Sequence, residues 1–346
     1  MRFKTGAIVG LSMLVSACGG DSGSVSSPLA VATTPTPVPS PTPSPTPTPT
    51  PAPSSGGPLT NLVASQIFVT TTAGLQSPLN RPGRVSGSTN LTGPTSGALF
   101  RYDSATRGYF YDVRNSLMAP DFEAGFLPSD VVASQSDART TYYDAPRDPL
   151  APPGTSPRNL LTLFNVGPAN DLLALSYSSF GLADFTYIDG PLTGHDYRAF
   201  AYYAVTTPDA DVPRTGTSTY TGRVIGEGNP QITDLAPRYA VTGTIQVTIN
   251  WATRTFTGSV TLVGNDGINS NIALGTQSIV QDGTPAALGR FAGAFPGQGS
   301  PTGFLGLLAG PAAEELSGSL TTKVSVTTSA GNVAGIDIVA SFGSRR

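Results

Sequence analysis

One cysteine and one histidine in 346 residues leave little room for metal or redox chemistry. An intramolecular disulfide, a Cys-ligated metal or a second thiolate would need another cysteine. His195, in TGHDYRAF, has no second histidine with which to build a zinc site or a His-based triad. Lysine is almost as scarce: Lys4 and Lys323 are the whole supply, so no polybasic patch exists for nucleic acid or anionic lipid. The formal charge is -3, and the patterns GxSxG, GxxxxGK[ST] and HExxH are all missing. Sustained 3.6-residue periodicity is missing too, because Gly and Pro interrupt nearly every candidate helix. These absences exclude nucleic-acid partners and the common hydrolase and kinase sites, and they point to a β-rich chain with no catalytic residues, no metal site and no cofactor.

What is present begins with MRFKTGAIVGLSMLVSAC. Arg2 and Lys4 precede an apolar run, Ala7 to Val15, that ends in small residues, which is the layout of an export signal. The run is too short to cross a bilayer. The closing V-S-A-C resembles the lipobox of bacterial lipoproteins, and that resemblance implies a signal peptide over residues 1–17 and lipidation of Cys18. Several acyl chains on one residue exceed what stable anchoring needs, at roughly 0.8 kcal/mol per buried methylene. Gly19 stands where an aspartate would signal inner-membrane retention, so the expected location is the outer membrane. Loss of Arg2 and Lys4 with the signal would leave 17 basic against 22 acidic residues.

Residues 18–58 read as a lipidated start followed by a tether, with PTPVPSPTPSPTPTPTPAP (Pro35 to Pro53) at its centre. Such a segment has nothing to bury and favours extended polyproline II. At about 3.1 Å per residue it would hold the following residues about 60 Å from the anchor.

The remainder is long enough for one large domain or two modest ones. YAVTGTIQVTINW (Tyr239 to Trp251) alternates strictly: Val241, Ile245, Val247 and Ile249 share one face, and Thr242, Thr244, Gln246 and Thr248 the other. Period two marks a strand with one buried face. A turn through Ala252 and Thr253 leads to RTFTGSVTLVG, completing a long hairpin. The same pattern recurs at 219–226, 271–280, 288–295, 302–309, 315–326 and 333–342, giving eight strands. Glycines inside them suit the bends and close packing of a small closed barrel. We therefore expect a mainly β chain, with an eight-stranded antiparallel up-and-down β-barrel over 211–346. Residues 59–210 alternate less clearly. GALFRYDSATRGYFYDVRN, RTTYYDA, NLLTLFNV and LLALSYSSFGLADFTY read as strands, and DFEAGFLPSDVVASQSDA as a loop or short helix between them.

Glu314 and Glu315 adjoin in GFLGLLAGPAAEELSGSL. On a strand starting there they would point to opposite faces, whereas a carboxylate pair working on one bond must flank the same substrate, roughly 5–10 Å apart. The passage LGLLAGPAAEELSGSL resembles the GxFYGPxAxExGGxF run near the end of the barrel in the family of transferrin-binding protein B and its single-lobed relatives. Gly306, Gly310, Pro311, Glu315 and Gly318 carry the resemblance. Leu308 and Ala309 stand where the family has an aromatic pair, Ser317 replaces a glycine, Leu320 the last Phe, and Glu314 is an addition. TTPDADVPRTGTSTYTG (206–222) is similar to the run that leads into the first barrel strand of the same relatives. The resemblance implies a ligand-contacting handle-like lobe over 59–210. It also implies non-enzymatic display at the cell surface, and capture of a host or environmental protein, or of a haem- or iron-bearing ligand, for an outer-membrane transporter.

Tyrosines gather in three places: Tyr109 and Tyr111 around Phe110, Tyr142 with Tyr143, and Tyr197 with Tyr202 and Tyr203. Tyrosine serves protein-binding surfaces and fills strands equally well. Tyr109, Phe110, Tyr111, Tyr142 and Tyr143 are the expected contact residues, since they fall in the handle-like lobe. A tyrosine can also ligate haem iron, and no local pattern singles one out. GNDGINSN (264–271) and PDADV (208–212) offer oxygen ligands for calcium, yet Asn, Asp and Gly are equally what β-turns require. The other reading of the whole is a structural or envelope-interaction lipoprotein on the same scaffold with no uptake role.

Overall fold

The structure, a computed structural model, describes residues 57–78, 90–92, 98–113, 122–146, 158–190, 193–230, 239–265, 271–281, 289–299, 302–327, 331 and 333–346. Cys18, the signal and the Pro/Thr tether lie outside the described residues. Residues Ala52–Arg346 form one compact unit built from two antiparallel sheets.

The first sheet contains β1 (Gln66–Pro78), β2 (Asn90–Thr92), β3 (Ala98–Asp103), β4 (Gly108–Val113), β5 (Phe122–Phe126), β6 (Thr140–Pro146), β7 (Arg158–Phe164), β8 (Ser178–Gly190) and β9 (Thr193–Ala204). Its order is β5-β4-β3-β1-β9-β8-β7-β6, with β2 paired to β1. β1 changes partner midway: Gln66 to Phe68 pair with β3, and Val69 to Pro78 with β9. The lobe is thus a continuous sheet, more regular than the sequence implies. FEAGF, expected to be loop or helix, is strand β5, and among the described residues beyond it only Pro128–Asp130 and Ala133–Gln135 turn helically, as 3-10.

One face of this sheet closes over a core of Phe68, Phe100, Tyr111, Phe126, Leu161 and Phe185. The core joins residues from β3–β5 to residues from β6–β9, so the sheet curls round its own aromatic filling. Phe100 stacks on Tyr203 at 4.3 Å, and Tyr111 on Phe185 at 5.4 Å.

The second sheet is the closed barrel: β10 (Thr217–Pro230), β11 (Tyr239–Asn250), β12 (Thr255–Asn265), β13 (Asn271–Gln281), β14 (Arg290–Ala294), β15 (Gly303–Ala309), β16 (Glu315–Thr327) and β17 (Val333–Arg345). Each strand pairs with its neighbour in sequence, and β10 pairs with β17 from Thr221↔Arg345 to Pro230↔Ile336. All eight expected barrel strands are present in the expected order. The β11–β12 turn runs from Trp251 to Arg254, two residues longer than Ala252–Thr253, with Arg254 in the left-handed region at φ 55°. Inward positions fill the interior with Val241, Ile245, Val247, Ile249, Leu316 and Leu320. Phe304 stacks on Phe342 at 5.1 Å and sits 5.7 Å from Phe256. An eight-stranded barrel is just wide enough for such filling.

The outward faces differ round the barrel. On β10 to β12 they carry Thr219, Thr221, Thr244, Gln246, Thr257 and Thr261, mostly exposed. On β16 and β17 they are buried, because the first sheet lies against them. Ser319 Oγ meets Thr71 Oγ1 at 2.9 Å, Ser317 Oγ meets Ser178 Oγ at 2.6 Å, and Ser341 Oγ donates to the Gly181 carbonyl at 3.2 Å. Small hydroxyl side chains allow the two sheets to approach and satisfy each other's polar atoms. Phe180, Tyr202 and Leu175 pack on Leu307 and Ala309 beside them. Arg198, on β9, bridges Asp184 at 2.8 Å and Glu227 of β10. Among the described residues no helix is long and apolar enough to cross a membrane.

Candidate functional site

Alternation decides where the expected contact residues lie. On β4, Tyr109 and Tyr111 point to the lobe core and Phe110 to the outer face. Tyr111 is fully buried, and Tyr109 packs on Phe100 at 5.4 Å and Tyr203 at 6.0 Å. Burial raises the hydroxyl pKa of both, that of Tyr111 far more. Tyr143 is buried as well, edge-on to Tyr109 at 6.4 Å, and burial raises its pKa. Tyr142, its neighbour on β6, points the other way and is half-buried, its N–H donating to Ser136 Oγ at 3.0 Å. The expectation that Tyr109, Phe110 and Tyr111 act together is therefore corrected: a strand cannot turn three consecutive side chains to one side, and two of these build the core. Tyr143 is withdrawn from the surface for the same reason.

Phe110 is the member left facing outward, and it is not alone. Cross-strand register places Ile67, Arg101, Phe110 and Gly125 in one row over β1, β3, β4 and β5. The Arg101 guanidinium lies 3.8 Å from the Phe110 ring centroid and bridges Glu123 at 3.0 Å. A Cβ on Gly125 would stand 3.0 Å from the Phe110 ring, so glycine there lets the ring lie across the strand. Ile67 at 67% and Leu99 at 39% remain exposed on this face. A half-exposed cation–π pair and a surface ion pair each add about 1 kcal/mol or less to stability. Their larger effect is to hold Arg101 and Phe110 in fixed positions beside uncovered aliphatic surface.

The family-motif residues form a second constellation, where the barrel meets the lobe. Gly310 to Ala313 make the turn between β15 and β16, with Gly310 at φ 88° and Ala313 at φ 57°, both left-handed. Pro311 is exposed at the corner, and Tyr220 Oη donates to the Ala313 carbonyl at 2.7 Å. Glu314 turns back on the loop to accept the Ala312 N–H at 2.9 Å. Glu315 enters β16, is buried, and accepts from the Ser176 and Tyr177 N–H groups and from Ser178 Oγ at 2.8 Å. Burial pushes its pKa up, against the pull of these donors. Gly306 and Gly318 face each other across β15 and β16.

The sequence marks Glu315 but not its donors, Ser176 to Ser178, nor Ile67 and Arg101. One signal for the first was available: Ser317 and Ser319 are smaller than Thr244, Gln246 and Thr248, the outward residues of β11, as suits a covered face. Among the described residues no three His, Cys, Asp or Glu side chains converge as metal ligands.

No protein-family model matches the chain, and no curated protein matches it. Solved structures to which it is similar include a double mutant of transferrin binding protein B from Haemophilus parasuis Hp5, at 11% identity over 75% of this chain and 54% of that one, with a TM-score of 0.36. The chain thus spans about half the length of that protein. Isotype 1 transferrin binding protein B from serogroup B Neisseria meningitidis matches at 12% identity over 82% and 77%, TM-score 0.27. The apo haemoglobin receptor HpuA from Kingella denitrificans matches at 16% identity over 83% and 88%, TM-score 0.31.

Proposed function

We propose that this chain is a non-enzymatic binding lipoprotein, anchored in the outer membrane through Cys18 and held out on its Pro/Thr tether. It uses the outer face of the β1-β3-β4-β5 sheet to capture a protein, or a haem- or iron-bearing ligand, for a transporter. The observation that carries the reading is the row of Ile67, Arg101 and Phe110: apolar surface left uncovered beside a cation fixed on an aromatic ring. Arg and aromatic side chains held in place before contact make strong anchors, because less side-chain freedom is lost on binding. The lipobox resemblance and the tether support display at a distance from the membrane.

The test is a pull-down from serum and from culture medium with the full chain, beside an Ile67→Asp/Phe110→Ala variant. Both side chains face outward, so the variant should melt close to the parent. A partner should be retained by the parent and reduced at least tenfold by the variant. If neither source yields a partner, the envelope-interaction reading takes its place. Tyr111→Ala is unsuitable as a probe, since it would empty the core of the lobe.

A further inference from the structure

We propose a second binding site: a groove between the 170–174 loop and the outer wall of the barrel, which takes an acidic, extended peptide segment of a protein partner. It shares no residue with the Ile67–Phe110 face.

Two adjoining cavities of about 420 and 410 Å³ have Leu172, Leu173 and Thr221 in common. The floor is the exposed wall of β10 to β12, where register sets Thr221, Gln246 and Ser259 in one row and Arg223, Thr244 and Thr261 in the next. Arg345 and Arg346 line the far end. Loop 170–174 forms the overhang and is well fixed. The Asn170 amide donates to the carbonyls of Arg139 and Asn165 at 3.1 and 2.8 Å, and Arg345 Nη1 donates to the Ala174 carbonyl at 3.1 Å.

Charge selects the ligand. Three arginines line the groove, and the one acidic side chain among its described lining residues, Asp171, has both oxygens taken by Arg139 at 2.7 and 2.9 Å. On a chain of formal charge -3 this is a concentration of the opposite sign. Arg223 is half-buried, and its guanidinium has no hydrogen bond or ion pair to another described residue. An arginine so placed is suited to a carboxylate, which it can hold through two parallel N–H groups.

The rest of the lining favours a peptide over an anionic sugar. Among the described lining residues no aromatic ring is present to stack on a sugar face. The hydroxyls of Thr221, Thr244 and Ser259 and the amide of Gln246 can each donate or accept, matching the alternating N–H and C=O of an extended backbone. Leu172, 40% exposed at the rim, offers contact to an apolar side chain between the acidic ones.

The experiment is fluorescence anisotropy with a fluorescein-labelled decapeptide of alternating glutamate and leucine, titrated with the full chain in detergent. Saturable binding is expected, weakening as salt rises. Arg223→Glu and Leu172→Asp should each weaken it at least tenfold, while Arg254→Glu, in the exposed β11–β12 turn, should leave it unchanged. Thermal melts establish that each variant is folded, and Arg223→Gln with Leu172→Asp decide the matter if Arg223→Glu is not. Absence of saturable binding would overturn the proposal, as would an equal loss in Arg254→Glu, which would mean diffuse attraction. A heparin hexasaccharide that binds where the peptide does not would assign the groove to a glycan and overturn it as well.

Discussion

Gly318→Ala is expected to cost about 3 kcal/mol, at the upper end of overpacking penalties, and Gly318→Val to leave no folded protein. A Cβ at this position would stand 1.9 Å from the Leu305 carbonyl oxygen and 2.8 Å from the Phe342 ring. The ring could shift. The carbonyl belongs to the neighbouring strand β15, so relief means parting β15 from β16 in a closed barrel that cannot open one seam alone. Stability of a domain is typically about 5–15 kcal/mol, and the two further methyl groups of valine, with no more room than the first, would exhaust it. Gly335→Ala, on β17, is the control: nothing lies within 4 Å of its Cβ. It should be neutral, or stabilising by about 0.4–1 kcal/mol through the unfolded chain. Urea unfolding of the two alanine variants measures this, and the valine variant should show no cooperative transition. A Gly318→Ala midpoint equal to that of the parent would show that the two strands are not as close as described.

Glu315→Leu is expected to cost about 3 kcal/mol. It strands the Ser176 and Tyr177 N–H groups in a buried place, each orphan donor costing about 1–3 kcal/mol. Ser178 Oγ keeps Ser317 Oγ as a partner. Hydrogen exchange should quicken at the Ser176 and Tyr177 amides well before β10–β13 are affected, because the contact fixes the loop rather than the barrel wall.

The same residue gives a pH dependence of definite sign. The folded carboxyl, its pKa raised by burial, binds a proton more readily than the unfolded one. Its contribution to stability is therefore fully present at pH below the ordinary glutamate range and declines as pH rises through that range to the raised value. Asp103, Asp137 and Asp171 act the other way: backbone N–H donors hold the first two low, and Arg139 the third. The quantity to measure is thus the difference in melting temperature between parent and Glu315→Gln across the carboxylate range. The parent should lose ground to the variant as pH rises; a difference that grows in the opposite direction would mean that the three donors outweigh burial.

How much of this was legible in the sequence follows from what covers each face. β11 and β12 were clear because one side fills the barrel and the other meets water, so Val and Ile alternate with Thr and Gln. β9 shows in the sequence only as a cluster of tyrosines. Tyr197, Ala199 and Tyr203 face the lobe core while Phe200 and Tyr202 face the barrel, and burial on both sides erases alternation. β5 reads as a loop or short helix because five residues ending near a Pro carry too little pattern to oppose the turn residues after them. For the site, residue type was informative and position was not. Aromatic residues on β4 were noticed, but Tyr111 and Phe110 have opposite fates that only strand phase decides. Ile67 belongs to the patch through register with Arg101, some 34 positions away, which no local pattern contains.

Strand pairing also sets an order in time. β1 waits for β9, and β10, the first barrel strand made, waits for β17, with Thr221 opposite Arg345. Contacts so distant in sequence make for folding in milliseconds to seconds rather than microseconds. Until β17 arrives, β10 has a free edge able to pair with any passing strand. The threonine-rich wall of β10–β13 is thus a safeguard for the unfinished molecule as well as a surface of the finished one, since it keeps the open sheet soluble while it lacks its last partner.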